Sequence, residues 1–180
     1  MVLDWNDIYI STVKLATKIL SSKRKFDLII GILRGGSTIA VILSDLLGLD
    51  VRTIRVKAYK GTQMSGKPII YDEPCADFRD AKVLVVDDVC DTGLTFKVVS
   101  EYLKLKGVSS FASAALVKKS SCDYKLDYWV LEDDRWILFP WELVEIYSQD
   151  PNGVLSAVRE GMGDEVANAL LGIIETRGKD

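Results

Sequence analysis

The segment Val83–Thr95 reads VLVVDDVCDTGLT, and its internal pattern decides the fold. The apolar run Val83–Val86 is too short for a helix and rich in β-branched side chains, which is typical of a parallel strand buried on both faces. The acidic pair Asp87 and Asp88 follows directly, and Asp91–Thr95 then reads DTGLT at the start of a helical segment. Because parallel sheets bind ligands at the carboxyl ends of their strands, this turn is the first candidate for a ligand site.

Outward from this segment, strands alternate with helices along the chain. Strands are predicted at 28–32, 51–58, 83–86 and 111–117. Helices are predicted at 4–20, from the turn at 34–37 through 47, and at 93–106. Two short helices are predicted after 151, with a break between them at 161–163. This alternation predicts an α/β fold with a mostly parallel central sheet flanked by helices. We expect residues 1–150 to form one domain and 151–180 to be a helical extension of it.

The composition of the 180 residues excludes several classes of function. With 48% hydrophobic and 27% charged residues, the chain has the profile of an ordinary globular protein. A net charge of -3 argues against a nucleic-acid partner, and no apolar run approaches the roughly 20 residues that a membrane-spanning helix needs. There is no histidine, which removes Ser-His-Asp hydrolysis and any histidine general base. Acid–base chemistry must therefore come from carboxylates, lysine, tyrosine or cysteine.

The three cysteines are Cys75, Cys90 and Cys122, and they form no C-x-x-C pair. Wide spacing without a paired motif is typical of reduced thiols rather than of a disulfide framework. We therefore expect three reduced thiols and a cytoplasmic location.

The turn after Val83–Val86 has the parts of a phosphate-binding loop, although it matches neither a P-loop nor a dinucleotide fingerprint. Asp91–Thr95 lies at a helix start, where backbone N–H groups favour an anion, and Gly93 allows close approach. Asp87 and Asp88 would repel a bare phosphate. They fit a ligand that also offers sugar hydroxyls or carries magnesium, as a sugar phosphate with bound Mg²⁺ does. The alternative is a helix cap with acidic residues in its first turn.

The segment Val83–Thr95 resembles the thirteen-residue phosphoribosyl-pyrophosphate (PRPP) motif of the type I phosphoribosyltransferases. The wider resemblance runs from about 4 to 141, and it is closest to the xanthine-guanine and hypoxanthine-guanine enzymes of purine salvage. It implies the type I phosphoribosyltransferase fold with a small hood at about 122–147. It also implies transfer of the phosphoribosyl group from PRPP to a purine base, which yields the nucleoside 5′-monophosphate and pyrophosphate, with Mg²⁺ as cofactor and a homodimer or higher homo-oligomer as the assembly.

The resemblance also implies which residues bind PRPP. Leu33–Ser37 corresponds to the pyrophosphate loop, in which family members often hold a non-proline cis peptide, here Leu33–Arg34. The implied PRPP contacts are Arg34, Gly35, Gly36, Ser37, Asp87, Asp88, Asp91, Thr92, Gly93, Leu94 and Thr95. Asp88 is the candidate Mg²⁺ ligand, either directly or through water. The segment 59–68 corresponds to the flexible loop that closes over the reacting centre.

Asp91 within the PRPP motif and three residues outside it suggest the base. Among Asp87, Asp88 and Asp91, the implied catalytic residues, Asp91 stands where 6-oxopurine enzymes carry the aspartate that takes the purine proton; its alternative is a helix N-cap. Lys118 corresponds to a lysine that contacts the purine O6, and its alternative is a surface lysine, with Lys119 adjacent. In Trp136–Glu142, WILFPWE, Trp136 would stack on the purine and the Ile137 backbone would bind the ring edge, whereas core packing is the alternative.

The sequence therefore predicts a purine phosphoribosyltransferase acting on hypoxanthine, guanine or xanthine. An adenine enzyme on the same scaffold is the first alternative, since one pocket contact can reverse purine preference. A PRPP-sensing regulator without catalysis is the second. Regulators of that kind usually add a DNA-binding module or a basic face, and this acidic chain shows neither.

Overall fold

The computed structural model describes residues 1–58, 68–74 and 76–177. Its strands are β1 (Leu28–Leu33), β2 (Asp50–Ala58), β3 (Pro68–Asp72), β4 (Lys82–Cys90), β5 (Ser110–Lys118) and β6 (Tyr128–Glu132). Its helices are α1 (Trp5–Ser21), α2 (Gly35–Leu47), α3 (Leu94–Leu105), α4 (Leu143–Tyr147), α5 (Pro151–Met162) and α6 (Asp164–Arg177).

The six strands form one sheet in the order β3-β2-β1-β4-β5-β6. Every neighbouring pair is parallel except β2 and β3, which are antiparallel. The predicted α/β architecture with a mostly parallel sheet is confirmed. Because β1 and β4 are neighbours, the loops that follow their carboxyl ends emerge side by side at the centre of one sheet edge.

Local signals in the sequence account for several helix ends. The Asp4 side chain caps α1, since its Oδ1 accepts a hydrogen bond from the Asp7 amide at 2.8 Å, and aspartate is among the residues favoured at this position. Gly48 ends α2 in the left-handed conformation at φ 66°. Gly163 separates α5 from α6 at φ 90°, within the predicted interruption.

The strand β4 extends four residues beyond the predicted apolar run of 83–86. The strand continues because Asp87, Val89 and Cys90 still pair with β5. Backbone hydrogen bonds between the two strands, rather than hydrophobic side chains, extend β4 over these residues. The acidic pair is consequently held on a regular strand and not in a mobile turn. The sequence also missed β3, β6 and α4, which are each five residues long.

The chain divides into two compact units, residues 9–134 and residues 1–8 with 135–177. In the first unit, apolar side chains of the sheet pack against α3 in a core that contains Ile30, Ile54, Val85, Phe96, Val99 and Leu103. In the second unit, α4, α5 and α6 share a separate core made of Leu138, Leu143, Ile146, Val154, Val158, Ala167 and Leu170. The predicted helices after residue 151 thus exist and have a core of their own. None of the described helices is both long and apolar enough to cross a membrane.

The expectation of reduced thiols is wrong for two of the three cysteines. Cys90 and Cys122 form a disulfide with an S–S distance of 2.04 Å across a separation of 32 residues. The spacing gave no hint of it because the pair depends on β4 and β5 being neighbours, which brings the segment after β5 back to the end of β4. Cys75 lies outside the described residues.

Candidate active site

The loop after β1 lies directly against the acidic end of β4. Gly36 is the point of contact, since a Cβ atom built on it would lie 3.0 Å from Asp87 Oδ1. A Cβ atom at Gly36 would collide with the Val86 carbonyl oxygen and would approach the Asp87 Cα to 2.7 Å. Glycine is therefore the residue that lets the two loops meet.

The Leu33–Arg34 peptide bond that opens this loop is cis, as the resemblance implied. The next turn is compact, because both the Ser37 amide and the Ser37 hydroxyl donate to the Arg34 carbonyl, at 3.2 and 2.6 Å. Gly35 and Gly36 are buried at the first turn of α2, whereas the Arg34 side chain is exposed. A buried glycine backbone beside an exposed guanidinium is an arrangement suited to an anionic ligand.

Asp87 and Asp88 are half-buried at the end of β4, and local amides orient both carboxylates. Asp87 Oδ1 accepts from the Asp88 amide at 3.0 Å, and Asp88 Oδ1 accepts from the Val89 amide at 2.8 Å. Withdrawal from water raises the pKa of Asp87 well above its ordinary value, and the neighbouring Asp88 charge raises it further. Such a pair favours a ligand that supplies hydroxyl donors or a cation.

The DTGLT turn presents backbone groups at the start of α3. Gly93 is the N-cap at φ 82° and has no side chain with which to satisfy the first-turn amides. Thr92 stands exposed just before it, and its hydroxyl lies 3.4 Å from the Leu94 amide. Because Gly93 is the cap, Asp91 is not, and the helix-cap alternative for Asp91 is excluded. The turn retains the geometry of a phosphate site.

Lys118 ends β5 and is half-buried, with its ammonium 4.6 Å from the centroid of the Trp129 ring. A cavity of about 200 Å³ opens at this end of the strand, lined by Lys118, Lys119, Ser120, Glu132, Asp133 and Asp134. The Ser120 amide donates to Asp134 Oδ1 at 2.7 Å, and this hydrogen bond lowers the pKa of the Asp134 carboxyl. Lys118 is therefore held over an aromatic ring and beside a polar cavity.

Trp136 and Ile137 belong to the other compact unit. The Trp136 side chain is 63% exposed, so packing in a core does not account for it. Ile137 is buried, and the chain around it is fixed because the Met1 ammonium donates to the Trp136 carbonyl at 2.8 Å. Trp141 is a packing residue, since its ring stacks on that of Phe139 with the ring centroids 4.9 Å apart.

Residues 1–146 match the family described as the phosphoribosyl transferase domain. The chain belongs to the phosphoribosyltransferase family. This phosphoribosyltransferase has the predicted type I fold, with six mostly parallel strands and a helical C-terminal end.

Similar proteins lie in the purine branch of the phosphoribosyltransferases. The chain is 31% identical over 143 residues to a xanthine-guanine phosphoribosyltransferase of Idiomarina loihiensis, covering 78% of this chain and 86% of that one. A second xanthine-guanine enzyme, from Gluconobacter oxydans, is 29% identical over 147 residues, covering 79% and 84% of the two chains. Among solved structures, a purine phosphoribosyltransferase of Pyrococcus horikoshii is 38% identical with a TM-score of 0.71, covering 79% of this chain and 93% of that one.

The residues of the phosphoribosyltransferase suit a magnesium ion that arrives with the ligand. Within residues 1–58, 68–74 and 76–177, no three acidic or cysteine side chains converge on a point as a metal cage would require. Asp87 and Asp88 supply two carboxylates. Mg²⁺ is commonly held by one or two carboxylates together with substrate phosphates and water, so the donor set fits.

Sequence reasoning missed the segment 119–124, which follows β5 and contacts the PRPP motif. Cys122 is bonded to Cys90, and the Ser121 hydroxyl donates to Asp91. Cys122 was the one available signal, but a single cysteine in a sequence does not indicate which other cysteine it pairs with. The predicted flexible loop at 59–68 lies outside the described residues, except for Pro68, which begins β3.

Proposed function

We propose that this protein is a Mg²⁺-dependent purine phosphoribosyltransferase that uses 6-oxopurines, namely hypoxanthine, guanine or xanthine. It transfers the 5-phosphoribosyl group of PRPP to the base and releases the nucleoside 5′-monophosphate and pyrophosphate. The close approach of Gly36 to Asp87 carries the proposal, because it brings the predicted pyrophosphate loop after β1 against the acidic pair at the end of β4. The names of the relatives support a purine as the acceptor.

PRPP would be held at three points along the sheet edge. Arg34 and the amides of Gly35–Ser37 take the charge of the pyrophosphate, and the amides and hydroxyls of Thr92–Thr95 bind the 5′-phosphate. Asp87 and Asp88 accept hydrogen bonds from the ribose hydroxyls between them. Asp88 would hold Mg²⁺, either directly or through water, and the ion would supply charge neutralisation for the leaving pyrophosphate.

The reaction breaks the bond from the anomeric carbon to the pyrophosphate oxygen and forms a bond from that carbon to purine N9. Positive charge develops on the ribose ring as the leaving group departs, and the carboxylates of Asp87 and Asp88 stabilise it. The purine loses one proton in the transfer. Since the chain has no histidine, Asp91 is the group that accepts that proton, and it is exposed toward solvent at the start of the turn.

Recognition of the base would involve one cation and one aromatic ring. The Lys118 ammonium donates to O6 of a 6-oxopurine, and it would meet an amino group unfavourably in adenine. The exposed Trp136 ring stacks on the purine, and the Ile137 backbone binds the ring edge. The half-burial of Lys118 and the exposure of Trp136 support these roles.

We further propose that residues 1–150 form the phosphoribosyltransferase domain with a hood at about 122–147, and that 151–180 extends it. The resemblance supports a homodimer or higher homo-oligomer in the cytoplasm, and the net charge of -3 supports the absence of a nucleic-acid partner. We propose no membrane partner.

The test is a steady-state assay with PRPP and Mg²⁺ against adenine, guanine, hypoxanthine, xanthine, uracil and orotate, following nucleotide formation. Turnover with the oxopurines but not with adenine is expected. Turnover with adenine alone would keep the PRPP site and overturn the base assignment. Measurable PRPP binding without turnover for any base would favour the regulator, and omission of Mg²⁺ tests the metal requirement in the same assay.

A further inference from the structure

The segment 119–124 runs alongside the end of the PRPP motif and is bonded to it at successive positions. The Lys119 amide donates to the Cys90 carbonyl at 3.0 Å, and the Asp123 amide donates to the Thr92 carbonyl at 3.3 Å. The disulfide joins Cys90 to Cys122 between these two hydrogen bonds. Asp91 thus lies between two backbone positions that are tied to this segment.

Ser121 faces Asp91 across the two adjacent chain segments. Its hydroxyl oxygen lies 3.0 Å from the Asp91 carbonyl oxygen and 3.1 Å from the carboxylate Oδ1. Among the described residues, no other side chain is shown hydrogen-bonding to the Asp91 carboxylate. Both side chains are exposed, so packing does not restrict the rotation of this carboxylate.

The far end of the segment is anchored in α3. The Tyr124 ring stacks on Phe96 with centroids 5.5 Å apart, and the Tyr124 hydroxyl lies 2.6 Å from Ser100 Oγ. Gly93 packs so closely on Tyr124 that a Cβ atom at this position would collide with the tyrosine Cβ. Ser121 is therefore presented from a segment that is fixed on both sides.

We propose that Ser121 is a positioning residue that orients the Asp91 carboxylate for proton acceptance. Its hydroxyl donates to Oδ1, which leaves the other carboxylate oxygen to receive the proton that the purine loses. A proton acceptor must lie within hydrogen-bond reach of its donor, and an exposed carboxylate that rotates freely occupies that geometry only part of the time. This inference rests on the proposed role of Asp91.

The test compares Ser121→Ala with Ser121→Thr, which keeps the hydroxyl. For Ser121→Ala we expect the single-turnover rate of nucleotide formation to fall about tenfold, with the KM for PRPP within about twofold of the parent. The melting temperature should stay unchanged because the side chain is exposed. Ser121→Thr should recover most of the rate. Ser109→Ala is the matched control, since Ser109 is an exposed serine that donates to the Ala81 carbonyl at the other end of β5.

A double-mutant cycle with Asp91→Asn separates this inference from the proposed function. Asp91→Asn should slow the rate about 100-fold, and adding Ser121→Ala should cost nothing further. If Asp91→Asn is fully active, the proposed role of Asp91 fails whatever Ser121 does. If Asp91→Asn is impaired while Ser121→Ala matches the parent, or if the two losses simply add, the positioning role of Ser121 is overturned.

Discussion

Gly36 lies directly against Asp87, so the loop after β1 and the end of β4 are in contact although 51 positions separate the two residues in the chain. The contact exists because the two strands are neighbours in the sheet and because Gly36 has no Cβ to hold the backbones apart. It gives the protein a single site in which anion-binding amides and carboxylates lie together.

Gly36→Ala is expected to separate these loops. The added Cβ meets the Val86 carbonyl oxygen and the Asp87 backbone, neither of which can rotate away, so the free energy of unfolding should fall by about 1–3 kcal/mol. PRPP binding should weaken more than tenfold, measured by calorimetric titration. Gly172→Ala is the control, because no atom lies within 4 Å of the added Cβ in α6 and the substitution should stabilise the protein by about 0.5–1 kcal/mol. Equal effects of the two substitutions would contradict the close approach.

Asp87 should make stability depend on pH in the sense opposite to most carboxylates. Burial raises its pKa in the folded protein above the ordinary 3.8, so the folded state binds the proton more tightly than the unfolded state. The contribution of Asp87 to the free energy of unfolding is therefore present at low pH, and it is lost as the pH rises from 3.8 through the pKa of the folded state. Asp87→Asn should remove this loss and raise the denaturation midpoint at neutral pH, while lowering turnover about 100-fold.

Asp77 provides a comparison with the opposite sign. Hydrogen bonds from Arg79 lower the pKa of Asp77 to about 2, so any stability it contributes is present above pH 3.8 and lost as pH falls toward 2. Asp77 is exposed and precedes the amino end of β4, whereas Asp87 and Asp88 lie toward the carboxyl end of that strand, so Asp77→Asn should leave turnover unchanged. Urea titrations of both variants from pH 3 to 8 test the pair. A slope for Asp87→Asn that equals the parent's would refute the raised pKa.

Lys118→Ala should damage base use more than PRPP binding. Its ammonium lies over Trp129 beside the cavity at the end of β5, and loss of a charged donor to O6 should raise the KM for the oxopurines about tenfold or more. The KM for PRPP should change less than twofold in the same assays. Lys104→Ala, an exposed lysine of α3, controls for net charge. Equal losses for the base and for PRPP would make Lys118 a structural residue.

Trp136 and Trp141 should respond differently to truncation. Trp136 is 63% exposed, so Trp136→Ala should leave the melting temperature near the parent value and raise the KM for the purine about tenfold through lost stacking. Trp141 is packed against Phe139, so Trp141→Ala should mainly lower the free energy of unfolding, by about 2–4 kcal/mol. Thermal denaturation and purine kinetics measured on both variants distinguish the roles. A large loss of stability in Trp136→Ala would identify it as a packing residue.

The Cys90–Cys122 disulfide should be visible as a stability difference on reduction. It closes a loop across a separation of 32 residues, for which chain entropy predicts a contribution of about 3–4 kcal/mol. Reduction with a dithiol should lower the urea midpoint of the parent protein, and it should leave the Cys90→Ala/Cys122→Ala variant unaffected. An identical midpoint with and without reductant would mean that the two thiols are free in solution.

The sequence alone determined those parts of the molecule that depend on short stretches of chain. The strand at 83–86, the cap at Asp4 and the helix end at Gly48 each follow from residues within one or two turns of each other. The segment DDVCDTGLT predicted where a strand ends and where the next helix begins. Because ligands bind at the carboxyl ends of parallel strands, it also predicted the position of the candidate site.

Tertiary structure decided what depends on residues far apart in the chain. The pairing of β4 with β5 extended the strand through Cys90, formed the disulfide with Cys122, and brought Ser121 to Asp91. Hydrophobic period and turn chemistry act over a few residues, so they specify elements and not their neighbours. Which strand lies beside which is chosen by burial of the whole core, and the contacts that orient a catalytic side chain follow from that choice.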